Sequence, residues 1–242
     1  MPISSAFVLG STSEVAKAIC RELARRGCGR FHLVARNGEA NQQFAAQLQH
    51  CYGAEVSTEQ TDLLADASLQ PTRRPEVGEF DLYLITAGSL GDPELARHDA
   101  EEALRILAAN LVGLIPWITA IATPERLARP GRFWVFSSVA ADRGRPSNYH
   151  YGAAKAALTA LCEGVLLRCH GKPFAVRIIK AGFMATPMTV GKAPPALCVS
   201  PAAVARNLLR RPNRRGIAYL PWWWLPLMLL IRLLPAPLAS RL

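Results

Sequence analysis

Residues 5–27 read SAFVLGSTSEVAKAICRELARRG, and this stretch decides the fold. Its first five residues, 5–9, form a short apolar run of the kind that builds a buried strand. Gly10 then opens a turn, and the residues over 17–26 show helical periodicity until Gly27 ends the pattern. A buried strand followed at once by a helix is the repeating unit of a parallel α/β sheet.

The same alternation of apolar runs and helical segments continues along the chain and predicts the architecture. A chain of 242 residues suffices for one domain, which would bury roughly 70–75% of its unfolded surface. We therefore predict a single-domain, Rossmann-like α/β fold, a doubly wound, parallel, seven-stranded sheet with helices on both faces. We divide the chain into a nucleotide-binding catalytic part, residues 1–200, with a substrate loop at 183–199 that is placed to close as a lid, and a basic, hydrophobic segment, residues 201–242.

The turn after the first strand is a candidate dinucleotide-binding turn. Gly10 allows the tight bend, and the N-terminus of the following helix offers free N–H groups and a positive dipole end to a pyrophosphate. Ser11, Ser13, Glu14 and Val15 complete this predicted contact region, with both serines expected to hold the pyrophosphate. Because the Glu14 carboxylate would repel a pyrophosphate, we expect its side chain to turn away.

The ends of the next three predicted strands indicate how the rest of a dinucleotide is held. Arg36 follows the second strand, where an arginine accommodates the 2′-phosphate of NADP and an acid would bind the ribose of NAD. This favours NADPH, the alternative being a solvated loop arginine. Asp62, after the third strand, is a candidate for the adenine amino group, for a helix N-cap, or for both. Gly88, after the fourth strand, lets the backbone lie close to the cofactor.

Four polar residues predict the reaction chemistry: Asn110, Ser138, Tyr151 and Lys155. Ser138 ends the apolar run 132–138, so we expect its hydroxyl at the carboxyl end of a strand, where open α/β sheets bind ligands. Tyr151 and Lys155 share one face of a predicted helix, and we expect the ammonium to lower the pKa of the phenol. The alternative is a solvated helix face. The set fits reduction of a carbonyl by a nicotinamide cofactor.

These pieces, in this order over roughly residues 5–190, resemble the short-chain dehydrogenases/reductases. The resemblance implies that Asn110, Ser138, Tyr151 and Lys155 form a catalytic tetrad and that the reaction needs no metal. It also implies a set of cofactor contacts beyond the first turn. These are Leu63, Ala87, Gly88, Tyr151, Lys155, Gly182, Phe183 and Thr186, with Ala181 replacing the proline that usually precedes Gly182.

Two segments narrow the resemblance to a subfamily. The turn Gly-x-Thr-Ser-Glu and the hydrophobic C-terminus, punctuated by Pro and Arg, are similar to those of the reductases that act with decaprenylphosphoryl-ribose 2′-epimerase. That likeness implies reduction of the 2-keto group of a polyprenyl-phosphate-linked pentose to the arabinose epimer, with a flavin-dependent oxidase as partner. Two alternatives stay open. One is a reductase of 3-oxoacyl or other small ketones whose tail is an oligomer interface, and the other is a membrane-tethered NADP-binding scaffold without turnover.

The charge of the chain is unevenly distributed. The net charge is +10, yet all 18 acidic residues precede position 164. Such asymmetry suggests an anionic partner surface, and we exclude nucleic acid because no recognition motif accompanies it. Arginines between 206 and 215 precede the uncharged run 217–231, which contains three consecutive tryptophans and is shorter than a spanning helix. We expect this tail to lie in a membrane interface, or alternatively to pack between subunits of a homo-oligomer.

The cysteines and the N-terminus bear on location. Six cysteines are scattered without a C-x-x-C pair or metal-ligand spacing, which is typical of small buried hydrophobes. The N-terminus leads directly into the first strand, so the sequence predicts no signal peptide. We therefore expect a cytoplasmic protein, peripheral on the inner face of the membrane.

Overall fold

The computed structural model describes residues 2–64, 75, 77–186 and 197–241. Its strands are β1 (Ser5–Leu9), β2 (Arg30–Ala35), β3 (Glu55–Gln60), β4 (Leu82–Ile85), β5 (Gly131–Ser138), β6 (Phe174–Ala181) and β7 (Gly216–Leu220). Its helices are α1 (Glu14–Arg25), α2 (Gly38–Tyr52), α3 (Ala100–Asn110), α4 (Ile115–Ile121), α5 (Pro124–Leu127), α6 (Tyr149–Arg168), α7 (Pro201–Arg210), α8 (Trp224–Leu233) and α9 (Ala236–Ala239). Short 3₁₀ turns lie at Leu95–Arg97, Val112–Leu114 and Val139–Ala141.

All seven strands belong to one sheet with the order β3-β2-β1-β4-β5-β6-β7. Every neighbouring pair runs parallel. The chain moves outward from β1 to β3, returns to the other side of β1 and continues to β7, so the order reverses between β1 and β4. The predicted fold class, a doubly wound parallel sheet of seven strands, is confirmed.

Successive side chains of the central strands point to opposite faces of the sheet and bury two hydrophobic cores. Ala6 and Val8 of β1 pack in the core that α1, α2 and α7 cover. Phe7 and Leu9 of the same strand pack in the core that α4 and α6 cover. Helices therefore lie on both faces, as the alternation of strand and helix patterns predicts.

The predicted division at residue 200 does not coincide with a boundary in the fold. Both α7 and β7 lie beyond that residue, and β7 pairs with β6 from Arg177↔Gly216 to Ala181↔Leu220. Val204 and Leu208 of α7 are buried in the first core. The catalytic domain thus extends to Leu220, because the hydrophobic face of α7 and the open edge of β6 are both covered by residues after 200.

The segment Ala100–Ile121 is long and apolar enough, by length and composition, to cross a membrane. In the fold it is α3 and α4 joined by a 3₁₀ turn, and α4 buries Trp117, Ile118 and Ile121 in the second core. We interpret it as part of the helical layer of the domain.

The C-terminal segment turns back over the carboxyl edge of the sheet. Trp224 is 4% exposed and Met228 is also buried, and both pack against Val139. Trp223 stacks on Trp224 with ring centres 4.7 Å apart, whereas Trp222 is 76% exposed. The three consecutive tryptophans therefore occupy different environments, which corrects the expectation that they act together at a lipid interface.

The arginines that precede the tail in sequence do not flank it in space. Arg211, Arg214 and Arg215 are exposed at the amino end of β7, whereas α8 follows the carboxyl end of that strand. A strand of this length separates the two groups by about 15 Å. Residues 217–220 also belong to β7, so the tail free of the sheet begins at Pro221 and carries only Arg232 and Arg241 as basic residues.

We expect Gly10→Ala to destabilise the fold more than Gly27→Ala does. The two glycines have nearly equal φ, +89° and +92°, so each alanine would meet the same left-handed backbone cost, about 1–2 kcal/mol. A Cβ at Gly10 would also lie 2.5 Å from the Ala87 nitrogen, whereas a Cβ at Gly27 would meet nothing within 4 Å. Urea denaturation of both variants measures the difference. Equal losses of unfolding free energy would contradict the close approach of β1 and β4.

Candidate active site

A cavity of about 800 Å³ opens at the carboxyl edge of the sheet. Asn110, Ser138, Tyr151 and Lys155 all line it. They come from the end of α3, the end of β5 and the first two turns of α6. The structure thus brings together the four residues that the sequence singles out for catalysis.

Ser138 is fixed at the cavity by the strand that it ends. Seven residues of β5 before it are buried, which places the side chain at the edge of the sheet. Its Oγ accepts a hydrogen bond from the Ala140 N–H at 3.1 Å, and the hydroxyl is near enough to Tyr151 to oppose the rise in the tyrosine pKa. The hydroxyl and the phenol are therefore neighbours that one small ligand can contact.

Tyr151 and Lys155 lie one turn apart on α6, as predicted. The Lys155 Nζ is 5.7 Å from the centre of the Tyr151 ring and donates to the Phe136 carbonyl at 3.3 Å. Gly152 lets the helix lie close to the turn after β5, since a Cβ there would be 3.0 Å from the Ala140 carbonyl oxygen.

Burial dominates the ionisation of both groups. It lowers the pKa of Lys155 to about 8, and it raises the pKa of Tyr151 above its ordinary value. The influences that partly oppose the rise in the tyrosine pKa come from Ser138 and Arg145. This corrects the expectation that the tyrosine pKa is lowered overall: burial outweighs the opposing influences, and the phenol is protonated at neutral pH, which is the form that donates a proton.

Asn110 is fully buried where α3 ends. Its Nδ2 donates to the carbonyls of Ser89 at 2.6 Å and Ile106 at 2.8 Å, and its Oδ1 accepts from the Ser89 N–H at 3.2 Å. The following residue, Leu111, has φ −141° and ends the helix. The amide of Asn110 therefore holds the loop after β4 against the end of α3.

The turn after β1 is arranged around Ser13, the N-cap of α1. Its Oγ accepts from the Ala16 N–H at 3.2 Å and donates to the Thr86 Oγ1 at 3.0 Å. Ser13, Glu14 and Val15 line the cavity, and the Glu14 carboxylate is paired with Lys17 at 3.0 Å. That ion pair offsets the repulsion that the sequence predicts between Glu14 and an anionic ligand.

Ser11 does not fit the role that the sequence gives it. It is fully buried, and its Oγ donates to the Asn41 Oδ1 at 2.6 Å and to the Val34 carbonyl at 3.2 Å. Its N–H also donates to the Val34 carbonyl, at 3.2 Å. Both donors are thus used within the fold, because the turn after β1 packs against the end of β2, and the assignment of Ser11 as a phosphate ligand is corrected.

The remaining cofactor candidates lie along the same edge of the sheet. Gly88 is wedged between two tetrad residues, since a Cβ there would lie 2.6 Å from the Asn110 Oδ1 and 3.0 Å from the Lys155 Nζ. Ala87 packs beside it on the second core. Arg36, Asp62 and Leu63 do not line the cavity and follow β2 and β3 at its outer side. Arg36 and Asp62 are exposed, and the Asp62 Oδ1 accepts from the Leu64 N–H at 3.0 Å.

Gly182, Phe183 and Thr186 line the cavity on the side of the C-terminal segment. A side chain at position 182 would overlap the indole of Trp224, and Phe183 meets the same indole edge-on at 5.6 Å. The Phe183 carbonyl accepts from the Val199 N–H at 3.0 Å. Between these ends, residues 187–196 of the predicted lid lie outside the described residues.

Sequence reasoning missed two residues that line this site, Thr86 and Arg145. Thr86 donates to the Gly10 carbonyl at 2.9 Å and so ties β4 to the β1 turn. Its position just before Ala87 and Gly88 is a signal that could have revealed it. Arg145 lies on the loop between β5 and α6, and only the folded chain brings it to the cavity. The packing of Trp224 behind Gly182 was missed for the same reason.

A parallel sheet with a serine at a strand end, and a tyrosine and a buried lysine on the following helix around the same cleft, is typical of a nucleotide-dependent oxidoreductase. Sequence comparison specifies the family. The profile of the short chain dehydrogenase family matches residues 4–195, and the chain belongs to this family.

Several relatives and solved structures are similar to the chain. An uncharacterized oxidoreductase of Mycobacterium tuberculosis H37Rv is 33% identical over 94% of this chain and 92% of its own length. The 3-oxoacyl-[acyl-carrier-protein] reductase of Escherichia coli K12 is 28% identical over 76% of this chain and 75% of its own. A short-chain dehydrogenase from Sphingobium yanoikuyae, solved in complex with NADPH, aligns with a TM-score of 0.78 at 22% identity, covering 90% of this chain and 88% of that one.

Proposed function

We propose that the protein is an NADPH-dependent carbonyl reductase that acts on the 2-keto group of a polyprenyl-phosphate-linked pentose and forms the arabinose epimer. The observation that supports reduction most strongly is the convergence of Asn110, Ser138, Tyr151 and Lys155 on one cavity. These groups supply a proton donor, a hydrogen-bond donor for a ketone oxygen and a cation beside them, and they act in this family without a metal.

The residues at the sheet edge fit a dinucleotide. Gly10 and Gly88 let the segments at this edge pack closely around the cavity, and the first N–H groups of α1 have no partners within the helix. Arg36 extends from the end of β2, where the 2′-phosphate of NADP would lie. The Sphingobium yanoikuyae relative by fold was solved with NADPH.

The chain's own residues divide the remaining work. Bound NADPH supplies the hydride that reduces the carbonyl carbon. Ser138 donates a hydrogen bond that orients the ketone oxygen, and Tyr151, protonated at neutral pH, gives its proton to that oxygen as it becomes an alkoxide. Lys155 remains largely an ammonium below about pH 8, and its charge stabilises the phenolate that this transfer leaves behind. The phenolate of Tyr151 would then be reprotonated through a water held near Asn110.

The tail supports a lipid-linked substrate. Trp224 packs against Gly182 and Phe183, which line the cavity, while the outer side of α8 carries leucines that are 43–81% exposed. These are Leu225, Leu229, Leu230 and Leu233. An interfacial helix next to the cavity mouth would bring the site to a ketone whose prenyl chain stays in the bilayer. The enzyme would then lie on the inner face of the membrane, with a flavin-dependent oxidase supplying the ketone.

A second candidate is reduction of 3-oxoacyl substrates. It is favoured by the likeness to the Escherichia coli 3-oxoacyl-[acyl-carrier-protein] reductase. In that case the exposed leucines of α8 would pack between subunits of a homo-oligomer.

Tyr151→Phe is expected to lower turnover by about 10²- to 10⁴-fold, because the proton donor is lost. The measurement is NADPH consumption with a polyprenyl-phosphate 2-keto-pentose in mixed micelles, alongside a 3-oxoacyl thioester. Tyr149→Phe is the matched control. Tyr149 is exposed on the same helix, and the residue four positions after it is Ala153, where Tyr151 has Lys155. Turnover that survives in Tyr151→Phe would contradict the reductase mechanism. Tyrosine-dependent turnover of the thioester alone would favour the second candidate.

Arg36→Ala is expected to weaken NADPH binding by about 10- to 150-fold, as expected for a lost hydrogen bond between charged groups. NADH binding should change less than about twofold, because NADH lacks the 2′-phosphate. Fluorescence titration with each cofactor gives both constants. Arg25→Ala is the control. Arg25 is exposed at the C-terminal end of α1, whereas the candidate cofactor turn lies at the N-terminal end of that helix. Equal losses for NADPH and NADH would refute contact with the 2′-phosphate.

The double variant Trp222→Ser/Leu233→Ser is expected to lose most of its binding to phosphatidylcholine–phosphatidylglycerol vesicles. The two side chains are 76% and 81% exposed, and each apolar side chain that enters lipid contributes about 1.5–3 kcal/mol. Vesicle sedimentation measures this, and reduction of a small soluble ketone should be unchanged. Arg210→Gln/Arg214→Gln, on the far side of the domain, should bind like the wild type. The subunit-interface alternative would be established by two results together. The wild-type protein would stay in the supernatant, and it would form an oligomer that the double variant does not form.

A further inference from the structure

The loop between β5 and α6 brings an arginine to the cavity that the proposed mechanism does not use. Arg145 lines the cavity, and its Nε is buried without a hydrogen-bond partner. Among the residues that the structure describes, none forms a hydrogen bond or an ion pair with its guanidinium. Asn148, three residues on, also lines the cavity, and its amide makes no capping bond to α6.

Within the part of the chain that the structure describes, no carboxylate pairs with Arg145. The two described carboxylates that line the cavity are already paired, Glu14 with Lys17 at 3.0 Å and Glu94 with Arg97 at 2.7 Å. Burial holds the pKa of Arg145 below its ordinary value. A guanidinium that is partly withdrawn from water without an anion is destabilised, so an anion that enters the cavity would gain from pairing with it.

The loop that presents Arg145 is held from several sides. Asp142 is buried between Lys180, with which it forms an ion pair, and Tyr219, whose hydroxyl donates to it at 2.8 Å. Arg143 donates to the Arg232 carbonyl at 2.5 Å. Arg97 donates to the Pro146 carbonyl at 3.0 Å. The backbone that carries Arg145 is therefore held in place before a ligand arrives, which reduces the entropy cost of binding.

We propose that Arg145 determines specificity by binding an oxyanion of the substrate, a phosphate or a carboxylate, close to the ketone. The inference rests on the proposed function, because Ser138 and Tyr151 must hold the ketone for an anion to be placed beside it. Arg145 and Tyr151 line the same cavity, so an anion held by Arg145 would share that cavity with the reacting carbonyl. A 2-keto sugar linked through C1 to phosphate has this arrangement, whereas the carbons around the ketone of a 3-oxoacyl chain bear no charge.

The test compares ketones that differ in the anion. The probes are a short-chain alkyl 2-keto-pentosyl phosphate, the alkyl 2-keto-pentoside that lacks the phosphate, a 2-keto acid and its methyl ester. The wild-type enzyme should reduce one anionic ketone with a kcat/KM at least about 10-fold above that of its neutral counterpart. Which pair shows the preference distinguishes phosphate from carboxylate. Equal kcat/KM within both pairs overturns the inference and leaves the reductase assignment standing.

Arg145→Gln should lose about 10- to 150-fold in kcat/KM on the preferred anion and less than about threefold on the neutral ketone. Arg145→Lys should recover part of the loss, since it restores the charge without the two-pronged geometry. Arg168→Gln, an exposed arginine at the far end of α6 that does not line the cavity, is the charge-matched control and should leave both values within about threefold. Equal losses on neutral and anionic ketones, or a loss in Arg168→Gln as large as in Arg145→Gln, would assign Arg145 a structural role and overturn the inference.

A binding measurement decides the inference even if none of the probes is reduced. The NADP-loaded protein is titrated calorimetrically with the alkyl arabinosyl phosphate, the product analogue, and with the 2-hydroxy acid. Wild-type binding of one of them that Arg145→Gln weakens by at least about 10-fold supports the role of Arg145. No binding at millimolar concentration, or equal binding by both proteins, overturns it. Failure of turnover with normal binding removes the proposed substrate and not the anion site.

Discussion

The parallel alignment of β1, β4, β5 and β6 is the constraint on which the cavity depends. Because the strands run in one direction, their carboxyl ends meet at one edge, and residues far apart in sequence converge there. Close approach at that edge requires missing side chains. Gly10 lies against Ala87, Gly88 lies between Asn110 and Lys155, and Gly182 lies against the Trp224 indole. Backbone atoms therefore surround much of the cavity. The functional side chains extend from closely packed backbone whose position is fixed by that packing.

The electrostatics of the cavity favour anions. Lys155 is buried and bonds to a backbone carbonyl, and the guanidinium of Arg145 has no acidic partner in the described chain. The buried carboxylate of Asp142 is occupied by Lys180 and Tyr219. Desolvation of these cations lowers the free energy of unfolding, and a bound anion would offset part of that loss. An anionic cofactor or substrate that binds only the folded chain would therefore also stabilise it.

The parts of the site that could be predicted from the sequence are those fixed by local pattern. Ser138 at the end of an apolar run and Tyr151 one helical turn before Lys155 need only strand and helix geometry. The fate of Ser11 could not be predicted, because Asn41 and Val34 reach its hydroxyl only across the sheet. The tyrosine pKa was predicted in the wrong direction for a similar reason: proximity to a cation is local, whereas desolvation is set by the whole fold.

The C-terminal segment shows why an apolar tail cannot be assigned from its composition alone. Trp224 fills the space that Gly182 leaves, so one side of α8 packs behind residues that line the cavity, while Leu230 and Leu233 on the other side face outward. A partner on the outer side, lipid or a second subunit, would contact the same helix that packs against Gly182 and Phe183. A change in how α8 is covered would therefore act within one helix diameter, about 10 Å, of residues that line the cavity.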